Sequence, residues 1–259
     1  MPAGYQRLGR VLLLRLPEEL RAHFGEIGKA WQEEMGVAAV LVVTGPVEGE
    51  LRVPHVERIA GGSTETEVVE HGIRWRFDAA RIMFAAGNRT ERVRAGRLAR
   101  PGEIVVDLFA GIGYFAIPAA ARGPARRVYA VEKNPVAFEY LARNLALNRV
   151  EDRVTIVPGD NRAVALPLGS ADRVFLGYLP SAVPWLPTAL GTLRDHGGWL
   201  HVHLVADVRG APASAIAIVH DALVAAGARL LEPMSAREVK PYGPGRAHVV
   251  VDAHARPNA

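Results

Sequence analysis

The chain of 259 residues contains no cysteine, which excludes disulfides and thiolate metal sites and leaves the redox compartment open. Lysine is nearly as scarce: of 31 basic residues, only Lys29, Lys133 and Lys240 are not arginine. No apolar run reaches the roughly 18 residues needed to span a bilayer, and the best stretch carries Asp107 in its middle. The opening residues hold only a short apolar run broken by Arg15, so no signal peptide is expected. Internal repeats and low-complexity segments are also missing. These absences lead us to expect a cytoplasmic protein with no membrane association and no obligate protein partner.

What is present supports a sizeable core, with 49% hydrophobic residues and a mean hydropathy of +0.09. The length fits one large domain with a small appendage. Net charge is only +4, but its distribution is uneven. Between Arg74 and Arg100 stand eight arginines against two acids, Asp78 and Glu91. Such a stretch suits a phosphate backbone, or else forms a solvated face.

The pattern divides the chain into three sections. Residues 1–70 read as a small α+β unit: a strand over Val11 to Leu16, a helix opening near Pro17, and a strand in "AAVLVVTG". Residues 71–100 cover a hairpin turning at His71-Gly72 and a connecting helix from Thr90 to Leu98, with Thr90 as its N-cap. From 101 to 259, apolar strands alternate with helices, which implies a parallel α/β sheet covered on both faces. The closing "AREVKPYGPGRAHVVVD" forms two strands joined by a Pro/Gly turn, so the last strand of this seven-stranded sheet should run antiparallel.

"VVDLFAGIGYFA" sets Asp107, Gly111 and Gly113 just after the first parallel strand. Glycines there let a ligand approach the backbone, and with Ala116 the spacing also fits a dinucleotide fingerprint. The second strand ends at Glu132, where a carboxylate can take ribose hydroxyls, and the third ends at Asp160-Asn161, which can meet an adenine edge. An acid ahead of the glycines suits an adenosyl-sulfonium better than a pyrophosphate. S-adenosylmethionine, as a co-substrate in a Rossmann-like class I methyltransferase fold, is therefore the expected ligand. Each acid taken singly could be an ordinary strand-end carboxylate.

"EHGIRWRFDAARIMFAAGNRTERVRAGRLARPGEIVVDLFAGIGYFAIPAA" resembles the archaeal and eukaryotic tRNA-modifying family that works 3′ of the anticodon, and "REVKPYGPGRAHVVVD" resembles its terminal hairpin. The family holds a guanine-N1 methyltransferase branch and a wybutosine-pathway aminocarboxypropyltransferase branch. The resemblance implies that Arg92 binds the methionine carboxylate, Glu132 the ribose, and Asp160 and Asn161 the adenine. It places Ala85 against the cofactor through its backbone alone, and matches Glu91 to the proton acceptor of the methyltransferase branch. Asp107 is then the holder of the amino group, with Gly111 and Gly113 lining the adenosine. Arg89 and Arg94 are expected to meet the tRNA.

Attack on different sulfonium carbons distinguishes the two branches, and orientation decides which carbon is taken. "ADRVFLGYLPSA" bears on that choice: the fourth strand ends in Gly177, Tyr178, Leu179, Pro180 and Ser181, with no Asn, Asp or Glu. The methyltransferase branch has Asn-Leu-Pro here, so this string resembles the aminocarboxypropyl version, in which the missing side chain leaves room for a bulkier arm or base. Tyr178 and Pro180 would face the base. His201 and His203 share one face of the fifth strand by alternation. Glu91, His203 and Tyr178 are the candidate catalytic residues. Two histidines without an acidic partner in helical spacing argue against a metal. The expected activity is aminocarboxypropyl transfer to 4-demethylwyosine of phenylalanine tRNA; methyl transfer to guanine N1, a small-molecule acceptor and a non-catalytic RNA-binding protein are the alternatives.

Overall fold

The computed structural model of the chain describes residues 4–47, 49–123, 125–166 and 168–258. The chain divides into two compact units, one ending at Ala85 and the other beginning at Ala86. The hairpin therefore lies with the first unit and the connecting helix with the second, where sections at 1–70, 71–100 and 101–259 were expected.

In the first unit, β1 (Tyr5–Leu8) and β2 (Val11–Leu14) form an antiparallel pair. A short 3₁₀ segment at Glu18–His23 precedes α1 (Phe24–Met35), which crosses to β3 (Ala39–Val43), parallel to β2. The expected helix at Pro17 thus starts as 3₁₀ and turns α-helical at Phe24. β4 (Val56–Gly61) completes a four-stranded sheet whose core holds Leu12, Leu14, Phe24, Val40 and Val42. β5 (Glu65–Glu70) and β6 (Ile73–Asp78) pair separately. His71 (φ 50°) and Gly72 (φ 75°) turn them, both in the left-handed region that a two-residue hairpin of this hand needs. Alternation buries Ile73, Trp75 and Phe77 and turns Arg74 and Arg76 outward onto Glu67, at 2.7 and 3.4 Å.

The second unit opens with α2 (Arg89–Leu98), which has Asn88 at its cap and no side-chain cap bond. Thr90 is inside the helix rather than its N-cap. There follow β7 (Ile104–Asp107), α3 (Ala116–Ala121), β8 (Arg127–Glu132), α4 (Pro135–Asn148), β9 (Val154–Pro158), β10 (Arg173–Leu176) and α5 (Leu186–Thr192). The chain ends with β11 (Gly198–Asp207), α6 (Ala211–Ala225), β12 (Ala228–Leu230), β13 (Ser235–Gly243) and β14 (Arg246–Pro257). The sheet order is β12-β14-β11-β10-β7-β8-β9, with β13 also on β14. β7 to β11 run parallel and β14 antiparallel, as expected. The sheet has eight strands rather than seven, because β12 and β13 pair with successive stretches of β14.

Parallel strands covered on both faces read as near-continuous apolar runs, and Arg173–Leu176 is buried at every position, its one charge, Arg173, paired with Glu103 at 2.9 Å. Burying Val174, Phe175 and Leu176 contributes about 1.5–3 kcal/mol per side chain. The order of the chain reverses between β7 and β10, and at such a switch point the carboxyl ends of the strands part to leave a crevice. No helix among the described residues is long and apolar enough to cross a membrane.

Candidate active site at the switch point

The loop after β7 is organised by Asp107, which is fully buried. Its Oδ1 accepts from Phe109 N at 3.2 Å and its Oδ2 from Ala116 N at 3.1 Å, so both oxygens pin the loop to the strand end. Burial pushes its pKa up to about 7. Gly113 has φ 105°, a backbone conformation that side-chain-bearing residues rarely adopt, and a Cβ there would also fall 2.3 Å from Ile117 Cδ1. Gly111 (φ 56°) donates its amide to Glu132 Oε2 at 2.6 Å, while Glu132 Oε1 accepts from Asn134 N at 2.6 Å. The ribose candidate and the glycine loop are thereby one structure. Burial raises the pKa of Glu132 against these amides, which lower it.

At the end of β9, Asp160 accepts from the Arg162 guanidinium at 2.8 and 3.0 Å and from Lys133 Nζ at 3.1 Å. Arg162 above all holds its carboxyl well below the usual range. Asn161 is buried, and its Nδ2 donates to Leu108 O at 2.7 Å. Its Oδ1 has no hydrogen-bond partner among the described residues. A buried acceptor left open beside this loop is what an exocyclic amine would satisfy.

Arg92 is 2% exposed, with its guanidinium 5.9 Å from the centre of the Tyr114 ring that follows Gly113. Glu91, also buried, makes ion pairs with Arg94 at 3.3 Å and Arg237 at 3.0 Å, while burial pushes its pKa up. Arg94, expected to meet tRNA, instead reaches inward to Glu91 and Asp252. Arg89 is exposed in the first turn of α2, and Ala85 closes the first unit half-buried.

The end of β10 differs from the expectation of open room. A Cβ on Gly177 would fall 2.5 Å from Phe115 Cε2, so a ring occupies the place that a strand-end side chain would take. Phe115 in turn packs on Phe175 and His203, with ring centres 5.4 and 5.2 Å away. Tyr178, Phe109 and Trp185 form a half-buried cluster with centres 5.0–5.1 Å apart, and Arg162 lies over Trp185 at 5.4 Å. Pro180 is exposed after a cis Leu179–Pro180 bond.

His201 and His203 are both buried beside these rings. His203 Nδ1 lies 2.8 Å from His248 Nε2, and burial, with the neighbouring charges, drives the His203 pKa well down. Among the described residues, no group of three or more His, Asp or Glu could hold a metal ion. Sequence reasoning missed Phe109, Phe115, Trp185, Arg162, His248 and Asp252. Phe109 and Phe115 stand inside the glycine motif, and Arg162 bonds Asp160 two residues away, so these three could have been found there. His248 and Asp252 meet the site only through the long-range pairing of β11 and β14, and Trp185 through ring packing on Phe109 and Tyr178.

Residues 66–223 match the family model described as the TRM5/TYW2 methyltransferase domain, and residues 1–64 match the TYW2 N-terminal domain. The chain is 37% identical over 252 residues to the tRNA(Phe) (4-demethylwyosine(37)-C(7)) aminocarboxypropyltransferase of Pyrococcus horikoshii, covering 97% of this chain and 89% of that one. The solved structure of P. horikoshii TYW2 in complex with MeSAdo superposes with a TM-score of 0.86 at 34% identity, covering 100% of this chain and 92% of that one. M. jannaschii TYW2 in complex with AdoMet gives 0.79 at 32% identity, covering 98% and 100%. The chain belongs to the TRM5/TYW2 methyltransferase family and carries a TYW2-type N-terminal domain.

Proposed function

We propose that the protein transfers the 3-amino-3-carboxypropyl group of S-adenosylmethionine to 4-demethylwyosine in phenylalanine tRNA and releases methylthioadenosine. The observation that carries this reading is the end of β10, where Gly177 offers no polar anchor and the Phe115 ring fills its place. The activity of the P. horikoshii relative supports it.

The residues at the switch point fit the co-substrate: a glycine loop, a carboxylate tied to that loop, and a buried amide oxygen in want of a donor. In this reading Glu132 holds the ribose, Asn161 the adenine amine and Arg92 the methionine carboxylate, by a guanidinium fork suited to that group. Asp160 acts beside Asn161 by fixing Lys133 and Arg162. Asp107 shapes the loop and, from there, the seat of the amino group. Bound there, S-adenosylmethionine supplies an electrophilic carbon next to a sulfonium. Tyr178 and Pro180 face the acceptor base, and Arg89 lies on the tRNA side. The accepting carbon must lose its proton, which rearomatisation makes acidic, so the neutral ring of His203 or water suffices as acceptor. A tRNA-modifying role is consistent with work in the cytoplasm.

The test is mass spectrometry of products after incubation with S-adenosylmethionine and hypomodified phenylalanine tRNA. Methylthioadenosine, with a base heavier by one aminocarboxypropyl group, is expected. S-adenosylhomocysteine would make the protein a methyltransferase, and bound co-substrate without either product would point to another acceptor.

A further inference from the structure

Arg92 can hold a carboxylate only from the place that α2 gives it, and α2 is held in an unusual way. On one side Gly96 packs on α3 so closely that a Cβ would lie 2.9 Å from Pro118 O. On the other side, the helix joins a row of polar groups running through the sheet. Arg173 donates to both oxygens of Glu103 at 2.9 and 3.0 Å, and its Nη1 lies 2.7 Å from His201 Nε2. Arginine has no acceptor, so this imidazole nitrogen must accept and the His201 proton must sit on Nδ1. From Nδ1 it donates to Asp252 Oδ1 at 2.6 Å. The other oxygen of Asp252 accepts from Arg94, and Arg94 donates to Glu91 at 3.3 Å.

Arg173, His201 and Glu91 are each no more than 3% exposed. A buried row of this kind adds little net stability over apolar side chains of the same shape. It does fix each member in one orientation, because every donor has one acceptor to meet. The two members carried by α2, Glu91 and Arg94, stand one before and two after Arg92 in the same helix.

We infer that Asp252, acting with Arg94 and His201, is a positioning residue that sets α2 so that Arg92 meets the amino-acid end of S-adenosylmethionine. This rests on the assignment of Arg92 to the methionine carboxylate made above. Glu91 is then the inner anchor of the helix, and not a free carboxylate waiting for a proton. The sheet strand β14 thereby controls a ligand contact made by a helix 158 residues earlier in the chain.

Calorimetric titration of S-adenosylmethionine and of methylthioadenosine, which lacks the carboxylate, separates the possibilities. Asp252→Asn should weaken S-adenosylmethionine roughly tenfold and methylthioadenosine less than twofold. Arg94→Lys, which keeps the charge but cannot fork between Glu91 and Asp252, should show the same imbalance, and it serves where Asp252→Asn does not fold. Equal losses for the two ligands, or none, in the folded variant would overturn the inference and leave Asp252 a structural residue. Arg92→Ala run alongside reports on the assignment beneath it. Selective loss in Arg92→Ala without selective loss in Asp252→Asn overturns the positioning role alone, whereas equal losses in Arg92→Ala remove the Arg92 assignment and the inference with it.

Discussion

Gly177 shows how a single missing Cβ can decide what a strand end presents. A side chain there would have to displace the Phe115 ring, which lies where its Cβ would begin and which packs on Phe175 and His203. Gly177→Asn must therefore turn the ring out of a packed site, at a cost of about 1–3 kcal/mol for overpacking. Urea unfolding should show that loss, and Gly177→Asn combined with Phe115→Ala should cost less than the two single changes summed, because the added group then enters the cavity left by the ring. Strict additivity would mean that residue 177 does not feel the ring. The glycine loop, Glu132 and Asn161 were legible in the sequence because their spacing along consecutive strands and turns fixes where they meet. That a ring fills the space at Gly177 was not legible, since nothing local says that a residue 62 positions earlier (Phe115) packs there. The same holds for Arg94: a run of arginines reads as surface, and only the Asp252 carboxylate on a distant strand draws one of them inside.

At the scale of elements, the antiparallel ladder of β11 and β14 carries three buried histidines, His201, His203 and His248. Burial is the largest cause that pushes the pKa of His201 and of His248 from 6.5 to about 4. An unfolded histidine takes up its proton as pH falls through 6.5, while the folded ring resists until near 4, so stability is lost as pH drops through that window. Asp107, raised from 3.8 to about 7, acts in the opposite direction over the same range, because its folded form keeps a proton that the unfolded chain has released. The useful comparison is therefore between proteins and not along one curve. Between pH 7 and pH 5 the unmodified protein should lose roughly 2 kcal/mol more than His248→Phe, in urea unfolding at both pH values. Equal losses would mean that His248 titrates normally in the fold. Apolar runs and turn residues made the parallel strands and the terminal hairpin readable from sequence. The division of one sheet edge between β12 and β13 was not readable, because it depends on which stretch of β14 each strand meets. Nor did local pattern reveal the 3₁₀ entry to α1 or the uncapped start of α2, where tertiary packing overrides the capping preference of Thr90.

For the molecule as a whole, the basic stretch from Arg74 to Arg100 is less available to a polyanion than its composition suggests. Arg74 and Arg76 face Glu67 across the hairpin, and Arg92 and Arg94 are turned into the fold. Arg81, Arg89, Arg97 and Arg100 keep exposed side chains. Counterion release scales with phosphates neutralised and not with arginines counted, so the salt dependence of tRNA binding should reflect the exposed four. Replacing Arg97 and Arg100 by alanine should weaken tRNA binding and flatten the plot of log affinity against log salt, by just under one unit for each phosphate no longer neutralised. Arg74→Ala, which removes one of the two arginines paired with Glu67, should leave that slope nearly unchanged. Filter binding across a salt series reads both. A slope that drops as much for Arg74→Ala as for Arg97→Ala would mean that the Glu67 pairs open when tRNA arrives and that the whole stretch meets phosphate, as its sequence alone suggests.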